Sequence, residues 1–146
     1  MTDIPADGER IARSAELALQ DAGVAPQEVD FINAHGSSTP QNDIAESNAC
    51  RRLFGARSRN IPVTSIKSQI GHPLSASNSI EVVSSVLSLC HGEIPPTINL
   101  EDLDPLCELD VVGNVARKVP IRVVLKTSSG FSGIHSALVI RALQEN

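Results

Sequence analysis

Apolar residues recur at helical spacing from Gly8 to Ala22: Ile11, Ala15, Ala18 and Ala22 share one stripe, and Leu19 widens it. Gly23 stands where such a helix needs its C-terminal stop. After the turn signal Pro26-Gln27-Glu28, the run Val29–Asn33 predicts a brief buried strand leading into Ala34-His35-Gly36. A second helix is expected over Asp43–Phe54, with Ile44, Ala45, Ala49 and Leu53 on one face and Gly55 as its stop. Ile61–Ile66 reads as a strand. Ser75–Cys90 reads as a third helix, with Ile80, Val83, Val86, Leu87 and Cys90 expected to face inward and Gly92 after it. Pro95-Pro96 breaks the chain. Strands are then expected at Glu108–Val112, Ile121–Lys126 and Ser136–Leu143, the last two joined by the tight turn Ser129–Gly133. Helices alternate with strands before two strands pair through a turn, which predicts an α/β fold: a mixed sheet with helices packed on it. No repeat or linker interrupts residues 1–146, which read as one domain.

Composition narrows the function classes. A hydrophobic share of 41% and a charged share of 20% are globular values. The net charge of −5 argues against a strongly basic nucleic-acid binder. With three Phe and no Tyr or Trp, stacking platforms for single strands are missing as well. No apolar stretch is long enough to span a membrane, and the N-terminal residues carry no apolar secretory core. Cys50, Cys90 and Cys107 are widely spaced, without a CxxC pair, which suits a reducing cytoplasm and neither a zinc knuckle nor a disulfide framework. Cys50 and Cys90 fall in predicted helices, where a buried, inert thiol is the default.

Three polar clusters stand at strand ends or glycine turns, the places where open α/β sheets host sites. In the first, Asn33-Ala34-His35-Gly36-Ser37-Ser38-Thr39, an imidazole leaves an apolar strand beside a turn-permitting glycine and three hydroxyls. It suits proton transfer or donation, and equally a histidine that merely caps a strand end. In the second, Lys67 and His72 lie between a strand and a helix N-terminus, whose dipole would favour a neutral His72, with Pro73 at a first-turn position. A solvated lysine and a loop histidine fit the same residues. The third, Thr127–Gly133, is a small-residue turn that would bring backbone N–H groups to a ligand, or a hairpin turn with Phe131 packed inward. His91, His135, Glu101, Asp102 and Asp104 stand in ordinary contexts, and neither a phosphate loop nor HExxH occurs. No metal site is expected.

Taken together, the segments Asn33–Thr39 (NAHGSST), Lys67–His72 (KSQIGH), Pro95–Leu100 (PPTINL) and Gly130–Gly133 (GFSG) resemble, in order and spacing, the C-terminal half of a β-ketoacyl-[acyl-carrier-protein] synthase of thiolase-like fold. Gln41-Asn42-Asp43 and GFSGIHSALVI are similar to the ketosynthases of type II polyketide assembly. The resemblance implies that His35 and His72 are the paired histidines that hydrogen-bond the malonyl thioester carbonyl and stabilise the enolate as carbon dioxide leaves. It implies electrostatic support from Lys67 and a helix carboxylate, Glu81, behind that lysine. Ser37 and Thr39 would lie along a phosphopantetheine arm. Phe131 would be a gating residue whose N–H, beside Gly130, adds to the oxyanion hole. Both histidines and Lys67 favour a ketosynthase over a chain-length factor.

The resemblance also implies what these residues lack. The family's nucleophilic cysteine lies in its N-terminal half, so this chain is expected to condense acyl and malonyl units only with a partner chain or missing half that supplies Cys. The expected partners are that half and an acyl carrier protein, whose phosphopantetheine arm is substrate carrier rather than cofactor; no resident cofactor, nucleic acid or membrane is expected. Ser132 replaces a family Gly, Thr127 a frequent Asn, and Pro73–Glu81 (PLSASNSIE) a small-residue stretch. Ser132 and Ser75–Ser79 fit a second reading, a non-catalytic scaffold or chain-length-factor-like subunit, which His35, Lys67 and His72 oppose. Either way, an isolated half is expected to expose a large apolar surface.

Overall fold

The computed structural model describes residues 5–143; residues 1–4 and 144–146 of the predicted domain lie outside the described residues. Helix α1 (Glu9–Asp21) starts at Gly8, whose φ of 68° lets the backbone approach α2 (Pro40–Phe54). A Cβ on Gly8 would lie 2.3 Å from the Ala45 carbonyl oxygen. Helix α2 begins three residues before its predicted start, because Pro40 fits the first helical turn after Thr39.

Strands β1 (Phe31–Asn33), β2 (Pro62–Thr64), β4 (Asp110–Val111), β6 (Val123–Gly130) and β7 (Ile134–Arg141) form a five-stranded mixed sheet in the order β4-β2-β1-β6-β7. The first four are parallel, and β7 returns antiparallel to β6 as a hairpin. Strand alternation splits the core. Ile32, Val63 and Leu125 pack with Ala15, Leu19, Cys50 and Phe54 under α1 and α2. Phe31, Val124 and Val112 face the opposite side with Ile94 and Ile121. That side is covered by α4 (Ser77–His91) and by a two-stranded ribbon of β3 (Glu93–Ile94) and β5 (Arg117–Lys118). The predicted α/β class, the mixed sheet and the final hairpin are all present. The ribbon and the four-residue α3 (Lys67–Ile70) have no counterpart in the periodicity, being too short to show one.

Helix α4 corrects an expectation. Its buried residues are Ser77, Glu81, Ser85 and Ser88, while Ile80, Val83, Val86 and Leu87 are exposed. Cys90 is exposed too. The polar face turns inward because the strands beneath it present polar groups: Asn33 Nδ2 donates to the Glu81 carbonyl oxygen at 3.0 Å and to Ser85 Oγ at 2.9 Å. The apolar face is left open. Val83→Asp/Leu87→Asp is therefore expected to leave the melting temperature nearly unchanged and to reduce self-association in light scattering. A loss of about 2–5 kcal/mol, the cost of disrupting core side chains, would mean that these residues are inward after all.

Candidate functional site

The site is built at the carboxyl ends of the parallel strands, where open α/β sheets form their crevices. His35 follows β1, Lys67 follows β2 and Thr127 lies in β6. One buried carboxylate, Glu46 of α2, shapes the His35 loop. Its Oε1 accepts the His35 N–H at 2.8 Å and its Oε2 the Gly36 N–H at 2.7 Å. Asn42 Nδ2 (2.8 Å) and Thr127 Oγ1 (3.0 Å) complete its partners. The turn after His35 needs its glycine: Gly36 has φ 47°, and a Cβ there would lie 2.4 Å from the Ser65 Cβ.

Behind His35 runs a buried ion network. The Lys67 ammonium pairs with Glu81 Oε1 and donates to the His35 carbonyl oxygen at 2.5 Å. It also lies 3.5 Å from His35 Nδ1. Lys126 Nζ lies 2.9 Å from the other oxygen of Glu81, donates to the Thr127 carbonyl oxygen and reaches Ser128 Oγ at 3.0 Å. In front, His72 is exposed, and its Nδ1 accepts the Leu74 N–H at 3.2 Å with Ser77 Oγ at 3.0 Å. The single-turn helix Leu74–Ala76 separates His72 from α4, so that N–H rather than the α4 dipole sets the role of Nδ1. The two imidazoles meet edge to face, with ring centroids 5.4 Å apart. With an ammonium at one Nδ1 and an amide N–H at the other, the network assigns the proton of each ring to Nε2. Each ring thus keeps an Nε2–H as its donor.

Burial, then the charges of Lys67 and Lys126, hold His35 down to about 3, against a weaker opposing pull from Glu81. A base depressed in this way binds its proton more readily in the unfolded chain. Stability is therefore expected to fall as pH drops from about 6.5 towards about 3, read by thermal melts across that window. A His35→Asn variant should lose this dependence.

The structure brings His35, Lys67, His72 and Glu81 together. Ser37 and Thr39 lie 3.2 Å apart, Oγ to Oγ1, and line a cavity of about 630 Å³ that also touches Gly36, Lys67, His72 and Cys107. His35 does not line it, and neither do Gly130 and Phe131. The latter pair sits at the hairpin tip, where Phe131 is 72% exposed rather than packed inward and Ser132 takes a φ of 64°. Glu46 and Lys126 escaped the sequence reading. Glu46 carries a legible signal, as a carboxylate between the buried Ala45 and Ala49 of α2. Burial pushes the Cys50 thiol up to about 12 and raises Cys107, so neither resembles an activated nucleophile.

Residues 1–101 match the family described as β-ketoacyl synthase, C-terminal domain. The chain belongs to this family. It is 45% identical over 145 residues to the tetracenomycin polyketide synthase ketoacyl synthase alpha subunit of Streptomyces glaucescens, covering 99% of this chain and 34% of that protein. A solved complex of a type II polyketide acyl-carrier protein with its ketosynthase, bound to the hexaketide, superposes with a TM-score of 0.96 at 49% identity. It covers 99% of this chain and 35% of that one. The ishigamide ketosynthase/chain length factor gives a TM-score of 0.92 at 40% identity, over 98% and 34% of the two chains. The thiolase-like ketosynthase fold is therefore shown, and the chain spans about a third of the length of the proteins it matches. Among the described residues of this ketosynthase C-terminal domain, no helix is long and apolar enough to cross a membrane.

Proposed function

We propose that the domain supplies the two-histidine half of a decarboxylative Claisen condensation. The observation that carries this reading is the His35–His72 pair, 5.4 Å apart, with each Nδ1 engaged and each Nε2–H left to donate. A malonyl thioester carbonyl oxygen between these donors would gain negative charge as the bond to the carboxylate breaks and carbon dioxide leaves. Preorganised donors stabilise that developing enolate oxygen. The enolate carbon then attacks an acyl thioester held on a cysteine, and that thiolate departs with the electron pair of the broken carbon–sulfur bond. The cysteine comes from the remainder of a longer chain or from a partner chain, which would cover the open apolar face of α4. Lys67 supports the histidines electrostatically through its contacts with the His35 carbonyl oxygen and Glu81.

The malonyl unit would arrive on the phosphopantetheine arm of an acyl carrier protein, with Ser37 and Thr39 along its path and Phe131 as a gate at the hairpin tip. No resident cofactor takes part, and the setting is the cytoplasm, in polyketide or fatty-acid synthesis. The test is reconstitution with a Cys-bearing ketosynthase N-terminal half, an acyl donor and malonyl-loaded carrier protein, read by mass spectrometry. A β-ketoacyl product that depends on this chain is expected. Stable association without a new carbon–carbon bond would overturn the catalytic reading and support the scaffold, which the substitution at Ser132 favours.

A further inference from the structure

We propose that Lys126 is a positioning residue of this site: by meeting the outer oxygen of Glu81 it holds that carboxylate on Lys67 and offsets buried negative charge behind His35. The inference rests on the reading of His35 as a neutral donor and deepens it.

Lys126 sits on β6 in register with Asn33 of β1, on the face that α4 covers. Its neighbour two residues back on that face, Val124, is an ordinary core residue. An ammonium in such a place is costly unless paired, and the side chain of Lys126 is only 1% exposed. It reaches across to α4, where Glu81 Oε2 has the ammonium at 2.9 Å and no hydrogen-bond partner. Glu81 is therefore gripped from two sides, by Lys67 on one oxygen and Lys126 on the other. The groups around His35 are Lys67 at the head of α3, His72 beyond it, Glu81 on α4, Lys126 on β6, and Glu46 on α2 at the His35 N–H. Two buried ammoniums face two buried carboxylates. Without Lys126 the balance tips negative, and the imidazole is drawn towards its charged form. Its Nδ1 would then carry a proton facing the Lys67 ammonium, and the contact that orients the ring would be lost. The influence of Lys126 on His35 is larger than that of Glu81 and opposite in direction.

The experiment is an NMR titration of the His35 ring in the 146-residue chain, for the native protein, Lys126→Gln and the double variant Glu81→Gln/Lys126→Met. Native His35 is expected to stay neutral down to about 3. In Lys126→Gln its proton affinity should rise roughly tenfold or more, one pH unit or above. In the double variant, which leaves no carboxylate at 81 unpaired, it should rise by less. If Lys126→Gln does not fold, the double variant carries the test. A folded variant of either kind with His35 titrating as in the native chain would reduce Lys126 to a structural role. Native His35 titrating near 6.5 would overturn the charge argument altogether. The readout is independent of condensation. Failure of the reconstituted reaction with His35 behaving as described would overturn the proposed function alone. An unmoved His35 with condensation intact would overturn the role of Lys126 alone.

Discussion

Replacing Glu81 with Leu is expected to cost about 3–5 kcal/mol of folding stability, the range for removing one partner of a buried ion pair. A domain of this size has about 5–15 kcal/mol in all, so the variant should lose from about a fifth to all of its stability. The reason is the arrangement of charges. Glu81 is 1% exposed and is the carboxylate that both Lys67 and Lys126 meet. Leucine would leave two ammoniums buried a few ångströms apart, with carbonyl and hydroxyl oxygens as their acceptors. Urea unfolding followed by far-UV circular dichroism reads the effect as a shift of the midpoint. Glu81→Gln should lose somewhat less, because the amide oxygen still accepts from Lys67, although its NH2 then faces the Lys126 ammonium, donor to donor. The triple change Lys67→Met/Glu81→Leu/Lys126→Met should recover most of the loss, since an ion network replaced as a unit by apolar residues of similar volume is often neutral. An unchanged midpoint in Glu81→Leu would mean that the network contributes nothing to the fold.

The second large effect concerns the reaction. His35→Ala and His72→Ala are each expected to lower the condensation rate of the reconstituted enzyme by about 10²–10³-fold, the range for loss of one preorganised donor to an oxyanion. The two variants should differ in stability. His72 is exposed, so its removal should leave the melting temperature nearly unchanged. His35 is 6% exposed and holds its place within the network, so alanine there also opens a small cavity and should lower the melting temperature. The double variant should fall short of the product of the two single effects, because both donors serve one oxygen. His72→Ala condensing at the native rate would remove His72 from the reaction. Both variants at the native rate would support the scaffold reading.

Much of this site was legible because its chemistry sits next to strand ends in sequence. The strand over Val29–Asn33 predicted where His35 would emerge, and β1 ends two residues before it. The segment after Ile61–Ile66 predicted Lys67 and His72 in one connection, and the structure folds that connection over His35. The hairpin was equally plain, since two apolar runs flank a glycine-rich turn. Boundaries shifted by a few residues where caps or ladder pairing extended an element: α2 gained Pro40–Asn42, and β6 ran on to Gly130 through pairing with β7.

The orientation of α4 and the partners of its polar face were not legible. The periodicity of Ile80, Val83 and Leu87 correctly marks an amphipathic helix, but an amphipathic stripe says only that two faces differ. Which face the sheet receives depends on what β1 and β6 present, and they present Asn33 and Lys126. The same holds for the partners of Glu46 and Lys126, which lie on other elements of the fold. Glu46 finds Thr127 across 81 residues of chain, and Lys126 finds Glu81 across a helix–strand interface. Local sequence thus determined the elements, the class of fold and the residues that emerge at the strand ends, because backbone propensity and side-chain spacing act over a few residues. Tertiary structure alone decided which charges are buried and what they hold in place, because a buried charge persists only where distant segments supply its counter-charge and hydrogen bonds.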